Sequence, residues 1–154
     1  MVRLIELTSI NPWWKYEREF VEHDVDLRRI EGIVFARREL NVEPGNIYII
    51  RGIRRSGKTV YLKLLVKKLL EKGVSPSCIL YVSCDRLTSR RELSNIIRDF
   101  YIENIKEETI YILLDEVTYL EKWFLTIKNI AETPWMEKTV AVATGSNPVT
   151  IKER

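Results

Sequence analysis

Residues 52–59 read Gly52-Ile53-Arg54-Arg55-Ser56-Gly57-Lys58-Thr59, which satisfies G-x-x-x-x-G-K-[ST] at every fixed position. Residues of these types at this spacing do phosphate chemistry. The two glycines let the backbone close around an anion. The amides of Arg55 to Thr59 then point inward, with the positive end of a helix dipole behind them. Gly52, Arg54, Arg55, Ser56, Gly57, Lys58, Thr59 and Val60 are therefore the candidate nucleotide-binding residues. Lys58 is the group to bridge the β- and γ-phosphates, and the Thr59 hydroxyl the one to ligate Mg²⁺. Arg51 to Lys72 carries eight basic residues against one acidic, which suits a polyanionic ligand. Lys63, Lys67, Lys68 and Lys72 read as a solvated helix face.

Further along, Tyr111-Ile112-Leu113-Leu114 runs into two adjacent carboxylates, Asp115 and Glu116. A strand ending in such a pair supplies the second half of a nucleoside triphosphatase: Asp115 holds Mg²⁺ through its water shell, and Glu116 orients and deprotonates an attacking water. Taken alone, the same pair also reads as a helix cap. A third polar cluster, Gly145-Ser146-Asn147, follows the run Thr139 to Thr144. Ser146, or failing that Asn147, is the residue to touch a γ-phosphate or the attacking water, with a plain turn at Gly-Ser-Asn-Pro as the alternative. Asp85 either lines the same rim or caps the helix that starts near Ser89.

These residues need a scaffold, and the hydrophobic pattern provides one. Strands are expected at Ile47–Arg51, Ile79–Ser83, Ile110–Asp115 and Thr139–Thr144, with helices at Lys58–Lys72, Ser89–Asn104 and Glu121–Glu132 between them. Leu62, Leu65, Val66, Leu69 and Leu70 form one apolar stripe, and Gly73 stops that helix. Near-continuous Ile, Leu, Val and Tyr strands separated by helices predict an α/β fold with a parallel sheet covered on both faces, and ligands at the carboxyl ends of the strands. Before this core, residues 1–45 read as an N-terminal extension packing on it, with a turn at Asn11-Pro12, a helix over Trp13–Glu22, a mixed stretch from Leu27 to Leu40 broken at Gly32, and a turn at Glu43-Pro44-Gly45-Asn46.

Composition removes other chemistries. The chain has 154 residues, enough for one domain, and a net charge of +3, too mild to point to nucleic acid. One histidine, His23, leaves a Ser-His-Asp triad or a His-based metal cluster without parts. Cys78 and Cys84 flank an apolar run and read as buried free thiols. The longest uncharged stretch, Thr139 to Ile151, falls short of the roughly 18–20 residues a spanning helix needs, and Glu6 interrupts any leader, so a cytoplasmic protein with no membrane contact is expected. Gln is absent while Lys, Arg and Glu abound, a bias shared with thermophile proteins.

Together, Gly-x-x-Arg-x-Gly-Lys-Thr, Tyr81-Val82-Ser83-Cys84-Asp85, Leu114-Asp115-Glu116-Val117 with Trp123, Thr144-Gly145-Ser146 and Asn11-Pro12-Trp13-Trp14 resemble the archaeal and bacterial AAA-type ATPases that carry a C-terminal domain of unknown function. The resemblance implies a three-layer P-loop core over 46–154 with strand order 1-4-3-2, ATP and Mg²⁺ as ligands, and ATP hydrolysis. ATP rather than GTP is also consistent with the lack of an Asn/Thr-Lys-x-Asp guanine-reading motif. Relatives of this type are longer, with a fifth strand and a helical lid, and they usually have Pro at the place of Ile53 and often Ser at that of Asn147. Slow hydrolysis in isolation is therefore expected, with a second copy or a separate polypeptide supplying the lid and an arginine to the γ-phosphate. Two further readings stand beside this one: a nucleotide-binding remnant or interaction module without turnover, and a phosphotransferase, which the Asp115-Glu116 pair suits less well.

Overall fold

Strands apolar on both faces must be covered on both faces, and the chain does this with helices. The computed structural model describes residues 4–24, 26–27, 41–52 and 57–146. Its sheet strands are β1 (Asn46–Gly52), β2 (Ile79–Ser83), β3 (Ile110–Asp115) and β4 (Thr139–Ser146), in the order β1-β4-β3-β2. All pairings are parallel, with Ile50 opposite Thr144, Leu114 opposite Ala143 and Ser83 opposite Asp115. Besides the helical turn α1 (Trp13–Tyr16), the longer helices among the described residues are α2 (Lys58–Glu71), α3 (Arg90–Glu103) and α4 (Phe124–Glu132). The architecture is the expected α/β one, with the expected strand order.

Alternation along the strands divides the core. Ile112 and Leu114 of β3 and Ala141 and Ala143 of β4 pack with Leu93, Ile96 and Phe100 of α3 and Ile130 of α4. Leu113, Val140 and Val142 face the other way, onto the stripe of Leu62, Leu65, Val66, Leu69 and Leu70 on α2. Burying each such side chain contributes about 1.5–3 kcal/mol, so the stripe fixes which face of α2 meets the sheet. Gly73, at φ 92°, ends α2 in a Schellman motif: its N–H donates to the Leu70 carbonyl and that of Val74 to the Leu69 carbonyl. Ser89 caps α3 by accepting from the Glu92 N–H at 3.2 Å. Asp85 is therefore not the cap; it accepts instead from the Ser83 hydroxyl.

Four other expectations need correction. The helix over Trp13–Glu22 is one α turn followed by a 3-10 segment, Glu17–Glu22, because the chain breaks at Glu17, φ 51°. Helix α4 starts at Phe124 rather than Glu121, since Lys122 adopts φ 55°. Strand β4 runs past the expected end at Thr144 to Ser146, which lies opposite Gly52. Lys63 is not solvated: it is buried and pairs with buried Asp24 at 2.5 Å. Gly32 and most of the Leu27–Leu40 stretch lie outside the described residues.

The N-terminal segment closes one sheet edge. Asn11 accepts the Tyr81 N–H at 2.7 Å and donates to the Tyr81 carbonyl at 3.0 Å, imitating a neighbouring strand. Trp13 and Trp14 both donate their indole N–H to the Ile79 carbonyl. Outward-facing groups of β2 that would otherwise attract another chain are thus satisfied. The opposite edge is β1, where Ile49 is exposed. Cys78 and Cys84 are buried and free, and burial raises both thiols above their ordinary range. No helix among the described residues is long and apolar enough to cross a membrane.

Candidate functional site

Parallel strands deliver their last residues to one rim, and here those residues are Gly52 of β1, Ser83 of β2, Asp115 of β3 and Ser146 of β4. Gly57, at φ 86°, turns the chain into α2 in a conformation that favours glycine. Lys58 opens the helix and is buried, its Nζ donating to the Gly52 carbonyl at 3.2 Å. Val60 is half-buried and packs with the α2 face of the core. Ile53, Arg54, Arg55 and Ser56 lie outside the described residues, as does Asn147.

Three hydroxyls converge on the buried Asp115 carboxylate. Thr59 Oγ1 and the Tyr81 hydroxyl each donate to Oδ2 at 2.6 Å, and Thr144 Oγ1 donates to Oδ1 at 2.6 Å. The first of these contacts joins the N-terminus of α2 to the end of β3. Thr144 and Tyr81 are new to the site. A polar residue closing an apolar strand was the available signal for Thr144, whereas a tyrosine inside β2 reads only as core.

Glu116 sits one residue beyond, in the left-handed region at φ 54°. Its N–H donates to Thr144 Oγ1 at 3.0 Å, and its Oε2 accepts from Ser146 Oγ at 3.1 Å. A non-glycine residue at positive φ is strained, and such strain collects where side chains must be aimed. Here it turns the Glu116 carboxylate toward the end of β4. Thr118 completes the corner by accepting the Ser146 N–H at 3.3 Å.

Gly145 makes that corner possible. A Cβ at this position would stand 2.4 Å from Thr118 Cγ2, inside contact distance. Gly145→Ala is expected to displace Thr118 and to cost about 1–3 kcal/mol, as other overpacked sites do. A thermal melt checks this. An unchanged midpoint would mean that Thr118 does not pack on β4.

The electrostatics of the rim are negative on the β2–β3 side. Burial and then the Asp115 charge push the Tyr81 phenol well up, and burial followed by the charges of Asp115, Asp85 and Glu116 does the same to the Cys84 thiol. Buried Lys58, at the start of α2, and the carboxylates of Asp115 and Glu116, at the end of β3, lie at the same end of the sheet. The donor set fits Mg²⁺: one hydroxyl, from Thr59, and one carboxylate, from Asp115, both oxygen and already in contact.

Strand, lysine-headed helix and acidic strand, with Gly-x-x-x-x-Gly-Lys-Thr joining the first two in sequence, are those of a P-loop nucleotide-binding module. Residues 44–154 match the family described as AAA domain. The chain belongs to that family. It is also 26% identical over 143 residues to an uncharacterized protein of Methanocaldococcus jannaschii, the match covering 90% of this chain and 28% of the relative. An uncharacterized protein of Haemophilus influenzae is 30% identical over 106 residues, 66% of this chain and 25% of its own length. The chain thus spans about a quarter of the length of these curated relatives.

Proposed function

We propose that the chain binds Mg·ATP at the turn between β1 and α2 and hydrolyses it. The observation that carries this reading is the 2.6 Å hydrogen bond from Thr59 to Asp115, which brings the two halves of the motif together. Gly52, Arg54, Arg55, Ser56, Gly57, Lys58, Thr59 and Val60 form the cradle, with Lys58 on the β- and γ-phosphates. Thr59 and Asp115 hold the cation, which when bound neutralises charge on the phosphate oxygens. Glu116 receives the proton of the attacking water. Ser146, already on Glu116, aligns that carboxylate and touches the γ-phosphate or the water, a role that Asn147 shares or takes.

Turnover rises when a second copy, or another polypeptide, brings an arginine to the γ-phosphate, a contact worth about 10³–10⁵ in rate. The reading is tested by titrating Mg·ATP into the protein and following phosphate release on the same sample. Saturable, Mg²⁺-dependent binding with phosphate release is expected; absence of saturable binding would refute it.

A further inference from the structure

Tyr81 is held on every side. Its backbone N–H and carbonyl are both taken by the Asn11 amide. Trp13 meets its ring edge-on, with centroids 6.4 Å apart, and the Lys63 ammonium lies 4.8 Å from the ring centroid. That ammonium is in turn paired with Asp24, so the ring is fixed between groups contributed by the N-terminal segment and by α2. What this rigid ring presents is one hydroxyl, donated at 2.6 Å to Asp115 Oδ2, the oxygen that also receives Thr59. A carboxylate with two donors on one oxygen and one on the other is restricted in rotation, and Tyr81 shares with Thr59 the oxygen that both donate to.

The geometry points to Tyr81 as a positioning residue of the metal corner: the N-terminal clasp of Asn11 and Trp13 fixes the ring, and the ring's hydroxyl holds the Asp115 carboxylate toward Thr59. This rests on the cation role given above to Thr59 and Asp115. Groups that orient metal ligands from behind typically carry 10–100-fold of metal affinity. The clasp is thereby more than an edge cover, because it reaches the site through one side chain.

The test is Mn²⁺ binding by electron paramagnetic resonance in the presence of ADP, with ADP affinity in EDTA as the companion measurement. Tyr81→Phe keeps the ring that Trp13 and Lys63 touch and removes only the hydroxyl. Its Mn²⁺ affinity is expected to fall about 10-fold or more, with ADP affinity in EDTA unchanged. Asn11→Ser, remote from the carboxylate, is expected to shift Mn²⁺ affinity in the same direction by less. Parental Mn²⁺ affinity in both variants overturns the inference, as does an equal loss of ADP affinity in EDTA, which marks general damage to the fold. If the parent protein itself takes up no Mn·ADP, the nucleotide reading fails and the inference with it.

Discussion

Glu116→Gln is expected to leave Mg·ATP bound and to reduce phosphate release by about 10²–10⁴-fold, the usual contribution of a positioned general base. The substitution is nearly isosteric. The Gln side-chain carbonyl still accepts from Ser146 Oγ, and the backbone N–H still reaches Thr144, so the geometry of the corner survives. What disappears is the ability to take a proton from water. Loss of rate with retained binding separates chemistry from affinity, and single-turnover phosphate release with a parallel binding titration reads both. A variant that releases phosphate at the parental rate would reduce Glu116 to a structural turn residue. The chain would then be a module that holds nucleotide without using this carboxylate.

The second large effect is expected at Lys58. Its buried ammonium has the Gly52 carbonyl as a hydrogen-bond partner, and a phosphate brought to the turn is a far stronger acceptor for the same charge. Lys58→Ala removes that charge-assisted contact, worth about 1.5–3 kcal/mol, which corresponds to roughly 10–100-fold in affinity. Alanine is a good helix former at the start of α2, so the fold is retained. A thermal melt of the ligand-free variant close to that of the parent, together with weakened nucleotide binding, is the expected pair of results. Parental affinity for Mg·ATP would remove the turn between β1 and α2 as the binding site.

The part of this molecule legible in its residues is the part encoded locally. Gly52 to Thr59 announces phosphate binding because glycine and lysine must fall at set distances along one short turn, a requirement that needs no distant partner. The α2 stripe of Leu62 to Leu70 and the two-faced strands follow from helix and strand periodicity, and with them the parallel sheet and its rim. Even the order β1-β4-β3-β2 was foreseen, though from resemblance rather than from pattern.

Long-range contacts left no such trace. The Asn11 amide reaches Tyr81 across 70 positions of sequence, and the Tyr81 hydroxyl reaches Asp115 across 34. Asn11 and Tyr81 stand in segments that carry the family resemblance, but nothing in either segment says that the two meet. The helical turn of Trp13 and Trp14 ends at the break at Glu17, and both indoles reach one carbonyl of β2, a contact visible only once the segment is docked. Lys63 looked like one of four solvated lysines until Asp24 was found beside it. The apolar run of β4 ends at Thr144 in sequence, but the strand pairs with β1 as far as Ser146 opposite Gly52, a hydrogen-bond register that belongs to two strands at once and to neither sequence alone. Short-range spacing specifies which chemistry is available. Folding selects which carboxylate oxygen, hydroxyl and amide meet, because those encounters are settled by packing among residues far apart in the chain.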